Sequence, residues 1–174
     1  ITWSPQEEAT ATGLVMETLR IARARTIQEA LTFSAAELGF DSFVFGIVAN
    51  DRRPDAESRT YVITDQVDTW VRRYDERAYL ELDPRVELAS EPGYSFWEAR
   101  QFDKNPGHKV FLKEAGENGI QSGLVIGLCT RDPPSYAMLS FNRAAPTLQR
   151  WTAEQRLFVA GQASMLGKVL SRTV

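Results

Sequence analysis

Gly123-Leu124-Val125-Ile126-Gly127-Leu128-Cys129-Thr130, then Arg131-Asp132-Pro133-Pro134-Ser135, then Tyr136-Ala137-Met138-Leu139-Ser140-Phe141-Asn142 reads as two strands joined by a loop too rich in proline to continue a ladder. A hairpin of this kind makes the sheet antiparallel. Working outward, Phe43-Val44-Phe45-Gly46-Ile47-Val48 is a nearly continuous apolar run of β-formers, the pattern of a central strand covered on both faces. Residues 60–64 alternate, so that Thr60, Val62 and Thr64 share a face. Tyr94 to Trp97 makes a brief strand after Pro92-Gly93.

Helices fill the intervals. Ser4, Pro5 and Glu7 form a helix start for residues 4–23, and Thr26 with Glu29 repeats the capping box for a second helix stopped at Gly39. Further helices are expected over residues 68–77, briefly after Pro84, over 109–118 up to Gly119, and from the Thr152/Gln155 box to about residue 171. Strands that are apolar on both sides need cover on both sides. The expected fold is therefore α/β, a three-layer α-β-α sandwich with a central antiparallel five-stranded sheet and helices on both faces.

The chain has 174 residues, 43% of them hydrophobic and 10% aromatic, enough for one well-filled core and short for two. One domain is expected over residues 1–174. A net charge of -3 argues against this segment gripping nucleic acid itself, because phosphate binding needs concentrated Lys and Arg. Arg20, Arg23 and Arg25 read as a solvated helix end, favoured by the helix dipole. Cys129 is the only cysteine and His108 the only histidine, so the usual transition-metal ligand sets cannot be assembled and no internal disulfide can form. No apolar run reaches the roughly 18 residues of a membrane span. No cofactor, no membrane and a reducing, cytoplasmic setting are expected. Beginning at Ile1 rather than methionine suggests a processed or excised fragment.

The chemistry lies in the middle of the chain. Trp70 and Tyr74 are four apart, hence one turn apart on one helix face. Each is an apolar ring with a polar tip that needs a partner when buried. Pro84 disfavours helical geometry at the preceding residue, which sets Asp83 at an extended corner beside that helix. Two donors and a carboxylate acceptor thereby converge. The pair alone is also compatible with ordinary helix-core packing.

The whole string, Trp70-x3-Tyr74-x8-Asp83-Pro84-x12-Trp97 followed by Gly123, resembles the autoinducer-binding domain of LuxR-type quorum-sensing transcription factors, over about residues 33–142. The resemblance implies a buried acyl-homoserine lactone as ligand. Trp70 would donate its indole N–H to the lactone carbonyl, Asp83 would accept the ligand amide N–H, and Tyr74, supported by Ser140, would reach the acyl carbonyl. Trp97 would wall the lactone ring. Val44, Gly46, Val48, Thr60, Val62, Val86, Phe102, Val110, Phe111, Ile120 and Val125 are the candidates for the acyl slot, each of them equally at home in an ordinary core. One departure is visible: family members often carry tyrosine four residues before the tryptophan, where this chain has Gln66. The resemblance further implies a homodimer and a C-terminal helix-turn-helix domain, absent from this chain, through which alone DNA is bound.

Two other functions stay open at this point. A ligand-free dimerisation or anti-activator module could share the sandwich. A lactone or ester hydrolase would have to use Ser122, in Gly119-Ile120-Gln121-Ser122-Gly123, which has one residue too many for a nucleophile elbow, with only His108 as base.

Overall fold

The computed structural model describes residues 27–49, 59–129, 136–148 and 151–173. The expected helix over 4–23, the basic cluster at its end, the Thr26 cap and the loops over 50–58 and 131–135 lie outside the described residues, as do the side chains of Val48, Thr60 and Cys129.

Five strands form one antiparallel sheet: β1 (Ser42–Ala49), β2 (Arg59–Thr64), β3 (Gly93–Glu98), β4 (Ser122–Cys129) and β5 (Tyr136–Arg143), in the order β2-β1-β5-β4-β3. The two hairpins sit side by side because β1 pairs with β5, Phe43 opposite Phe141 and Phe45 opposite Leu139. Period-two alternation then divides each strand between two cores. Phe43, Phe45, Leu124, Ile126, Leu128, Ala137, Leu139 and Phe141 face one way, into a cluster shared with α1 (Ile27–Glu37) and with Val159, Ala160, Ala163, Leu166 and Leu170 of α5 (Ala153–Thr173). Val44, Val125 and Met138 face the other way, beneath α2 (Asp68–Glu76), α3 (Pro84–Leu88) and α4 (Pro106–Glu117). The sandwich expected from doubly apolar strands is the fold observed.

The helix punctuation explains the boundaries. Gly39 ends α1 at φ +81°, with the Phe40 N–H returning to the Ala35 carbonyl, and Gly119 ends α4 in the same way at φ +77°. Thr152 and Gln155 exchange their hydrogen bonds reciprocally at the start of α5. Helix α4 starts three residues earlier than the sequence reading placed it, because Asn105 caps it through the Gly107 N–H at 2.9 Å and Pro106 occupies its first position.

Gly123 of β4 has no room for a side chain between the β5 backbone and Trp97 of β3. A Cβ there would stand 2.1 Å from the Phe141 carbonyl oxygen and 3.1 Å from the Trp97 indole nitrogen. The close packing of Trp97 against the sheet thus requires glycine opposite it, where the register pairs Trp97 with Gly123.

Candidate functional site

On the second face of the sheet the antiparallel register lines up three rungs. Ser42, Asn142, Gly123 and Trp97 form one; Thr64, Val44, Ser140 and Val125 the next; Val62, Gly46, Met138 and Gly127 the third. Above the latter two lies a cavity of about 290 Å³, floored by Val44, Gly46, Val62, Thr64 and Met138 and roofed by Trp70, Val71, Tyr74, Leu80 and Val86, with Gln66, Asp75, Asp83 and Arg85 contributing polar groups. Its wall is apolar except at two ends.

Helix α2 places the aromatic pair. Trp70 and Tyr74 stack edge to face at 6.2 Å, on one side of the helix as their spacing requires. Phe111 of α4 and Tyr79, in the short 3₁₀ turn Tyr79–Glu81, close the cluster behind them, with ring separations of 5.3 to 6.2 Å. The Tyr79 hydroxyl bonds Glu114, and burial followed by that carboxylate raises its pKa. Arg73 makes a bidentate pair with Glu114 at 2.8 and 2.9 Å, which ties α2 to α4.

Asp83 caps α3 in the extended conformation that Pro84 demands, φ −81° and ψ 109°, and accepts from the Arg85 N–H at 2.9 Å. Its carboxylate also accepts from the Tyr74 hydroxyl at 3.0 Å and from the Arg85 side chain, through Nε at 3.0 and 3.1 Å and Nη2 at 2.6 Å. Arg85 is as buried as Asp83, at 2% and 3% exposure. Burial pulls the guanidinium pKa down, but the charge and the hydrogen bonds of Asp83, with Tyr74, together outweigh it and the net shift is upward. Arg85 therefore stays charged in the interior.

The guanidinium lies over the first rung. Its Nη1 donates to Asn142 Oδ1 at 2.8 Å, and its carbon sits 5.9 Å from the Trp97 ring centre and 5.6 Å from that of Phe111. Asn142 Oδ1 accepts from Ser140 as well, and Asn142 Nδ2 donates to Ser42 Oγ at 3.4 Å. Ser42 Oγ in turn accepts from Gln66 Nε2. One polar chain, Asp83-Arg85-Asn142-Ser42-Gln66, thus runs along the first rung, beside the cavity, and links Asp83 and Arg85 to Gln66, all three of which line it.

The candidates divide against this geometry. Trp70, Tyr74, Asp83, Val44, Gly46, Val62 and Val86 line the cavity. Trp97, Ser140, Phe111, Ile120 and Val125 do not line it; all five are fully buried on the same sheet face. Spacing cannot separate a cavity wall from the packed core that continues it. Phe102, half-buried, packs its ring on His108 at 5.9 Å. Val110 is 57% exposed, on the outer side of α4. Tyr74 donates its hydroxyl to Asp83 at 3.0 Å.

The residues that sequence reasoning missed are Arg85, Thr64, Val71, Asp75, Leu80 and Met138. Arg85 did carry a signal: a cation in the first turn of a helix opposes the helix dipole and calls for a compensating partner. Ser122 is fully buried with its hydroxyl donated to the Ala145 carbonyl at 2.7 Å, while His108 faces Asn105 and Glu87. Among the described residues no cluster of three or more His, Cys, Asp or Glu side chains could hold a metal ion.

The sandwich is shared with solved structures. The N-acylhomoserine-lactone-dependent LuxR family transcription factor CepR2 of Burkholderia cenocepacia superposes with a TM-score of 0.71 at 21% identity, covering 94% of each chain. Residues 1–171 of Escherichia coli SdiA give 0.65 at 17% identity, covering 96% of this chain and 98% of that one. SdiA in complex with octanoyl-rac-glycerol gives 0.72 at 15% identity, covering 97% and 69%. No curated protein sequence gives a significant match. The family model described as the autoinducer binding domain matches residues 23–174, and the chain belongs to that family.

Proposed function

We propose that this chain is the sensing domain of a quorum-sensing regulator and that its ligand, of the acyl-homoserine lactone class, lies in the cavity between the sheet and helices α2 and α3. The observation that carries the reading is the cavity itself. It joins an apolar slot, lined by Val44, Val62, Val71, Leu80, Val86 and Met138, to a polar corner at Asp83 and Arg85, with Trp70 between them. An acyl tail gains roughly 0.8 kcal/mol for each methylene buried in such a slot. CepR2 is described as N-acylhomoserine-lactone dependent, and SdiA holds an acyl glycerol. An acyl compound is the element common to the two descriptions.

The same reading makes the domain a binder and not an enzyme, since Ser122 is hydrogen-bonded in the core and away from the cavity. It places the protein in the cytoplasm, in accord with described helices none of which is long and apolar enough to cross a membrane. It makes the domain a homodimer through its terminal helices, and it leaves DNA contact to a C-terminal helix-turn-helix domain outside residues 27–173. Solvent extraction of the purified protein followed by mass spectrometry tests the central claim: an acylated molecule should be released in stoichiometric amount. Protein that yields none, and whose melting is indifferent to added acyl lactones, would favour a ligand-free dimerisation module.

A further inference from the structure

The place beside Trp97 expected for a lactone ring is filled by the protein itself. Trp97 and Phe111 are fully buried, and neither lines the cavity. The Arg85 guanidinium lies over both rings, 5.9 and 5.6 Å from their centres, and Arg85 does line the cavity. Arg85 thus stands between the cavity and these two aromatic walls. One wall is unsatisfied: the Trp97 indole N–H is buried without an acceptor, and a donor left in that state calls for an explanation. Asp83 is engaged from the same side. Four donor groups converge on it: the Arg85 backbone N–H, the Tyr74 hydroxyl, the Arg85 Nε–H shared between both carboxylate oxygens, and an Arg85 Nη2–H. A carboxylate offers about four lone-pair positions. Two of the four donors belong to the Arg85 side chain, so its withdrawal would free acceptor capacity on Asp83 and open the space between Trp97 and Phe111 in one movement. Tyr74 and the backbone N–H would remain to hold the carboxylate in place.

We infer that Arg85 is an internal competitor for the head-group end of the cavity: in the empty protein its guanidinium holds the places of the lactone ring and of the ligand amide N–H, and an acyl-homoserine lactone seats its head by displacing it. This rests on the reading of the cavity as the acyl-lactone site. The exchange is matched in chemistry. The ligand N–H takes over acceptor positions on Asp83 that the guanidinium gives up, and a neutral ring replaces the cation against Trp97 and Phe111. The ring also brings ester oxygens, acceptors of the kind the Trp97 N–H lacks. A released guanidinium has a way out, because the cavity it borders extends to Asp75, an exposed carboxylate. The consequence is a threshold on sensing. Only protein with Arg85 withdrawn can receive the head, so the apparent affinity is reduced by the fraction of molecules in that state, and a buried ion pair at 2.6 Å keeps the fraction small.

The probes are N-octanoyl homoserine lactone and methyl octanoate, the second carrying a tail without the ring or the N–H. In the empty parent the Arg85 Nε–H, buried on Asp83, should give a side-chain NMR resonance protected from exchange with water and identified by its loss in Arg85→Lys. Saturating lactone should abolish that protection, and methyl octanoate should leave it. A resonance that stays protected under saturating lactone would mean that the ligand seats beside an undisturbed ion pair, and this inference would fall while the sensing reading stands. Arg85→Ala supplies the affinity. Isothermal titration should show lactone bound about tenfold or more tightly than by the parent, the size expected when hydrogen bonds to a charged group no longer have to be broken, with methyl octanoate little changed. Lactone bound equally or more weakly by folded Arg85→Ala would overturn the inference, because Arg85 would then be a bystander or a ligand contact. If Arg85→Ala does not fold without ligand, the resonance in the parent decides alone. If no acyl lactone from hexanoyl to dodecanoyl binds parent or variant, the sensing reading falls and this inference with it.

Discussion

Asp83 and Arg85 make one buried unit, and removing either leaves the other charged and unpaired in the interior. Asp83→Ala strips Arg85 of its carboxylate while Asn142 retains only one of its N–H groups. Breaking a buried pair in this way costs about 3–5 kcal/mol. Tyr74→Phe removes one neutral donor from a carboxylate that keeps four other contacts, and about 0.5–1.5 kcal/mol should be lost. Urea denaturation of the two variants without ligand should show this order. A stable, cooperatively folding Asp83→Ala variant would mean that Arg85 finds water or another partner, and that the pair is less enclosed than its 2–3% exposure indicates. The spacing of Trp70, Tyr74 and Asp83-Pro84 made these three side chains readable in advance, because helix periodicity and the constraint of proline are local. Arg85 was not readable as their companion. Its partners Asn142, Trp97 and Phe111 reach it only through tertiary contacts, at separations of 57, 12 and 26 positions, that no local pattern encodes.

At the scale of elements, α2 is fastened to α4 by Arg73 and Glu114, and this link has a pH signature. The Arg73 hydrogen bond, then that of Tyr79, holds the Glu114 carboxyl down to about 2 from its usual 4.5. A carboxylate depressed in the folded state contributes stability that is present above its unfolded pKa and is lost as pH falls through the folded one. The roof of the cavity should therefore loosen between about pH 4.5 and pH 2. In Glu114→Gln that part of the acid limb should flatten, which thermal melts over the same range would show; Glu114 is part-exposed, so the effect is moderated by solvent. The strand pattern of this face was legible for a related reason. Doubly apolar runs such as residues 43–48 have to be covered on both sides, whatever covers them. Legibility stopped at the difference between filled and empty space: Ile120 and Val125 pack solidly, Val44 and Val62 border a cavity, and all four are aliphatic residues assigned to the same slot. Gly123→Ala gives this scale its steric test. A Cβ 2.1 Å from the Phe141 carbonyl oxygen cannot be absorbed without parting β4 from β5 or displacing Trp97, and overpacking of this kind costs about 1–3 kcal/mol.

For the whole molecule, the cavity makes stability depend on occupancy. Two cores flank one sheet, the first filled from α1, α5 and the sheet, the second interrupted by about 290 Å³ of space beneath α2. Apolar atoms lining such a space lack the contacts that a closed core supplies, so whatever fills it adds dispersion and burial energy to the folded state alone. A ligand present at a thousandfold excess over its Kd then contributes about 4 kcal/mol. In a domain of this size each kcal/mol moves the melting midpoint by about 2–4 °C. The bound protein should therefore melt about 8–16 °C above the empty one, as differential scanning calorimetry would record. Val44→Phe separates filling from recognition. Val44 borders the cavity from the central strand, and a ring at that position occupies part of the space with protein. The empty variant should melt at or above the empty parent, while the shift produced by ligand should largely disappear. A Val44→Phe protein that keeps the full ligand-induced shift would place the ligand elsewhere on the molecule, and the cavity would then be a packing defect rather than the sensing site.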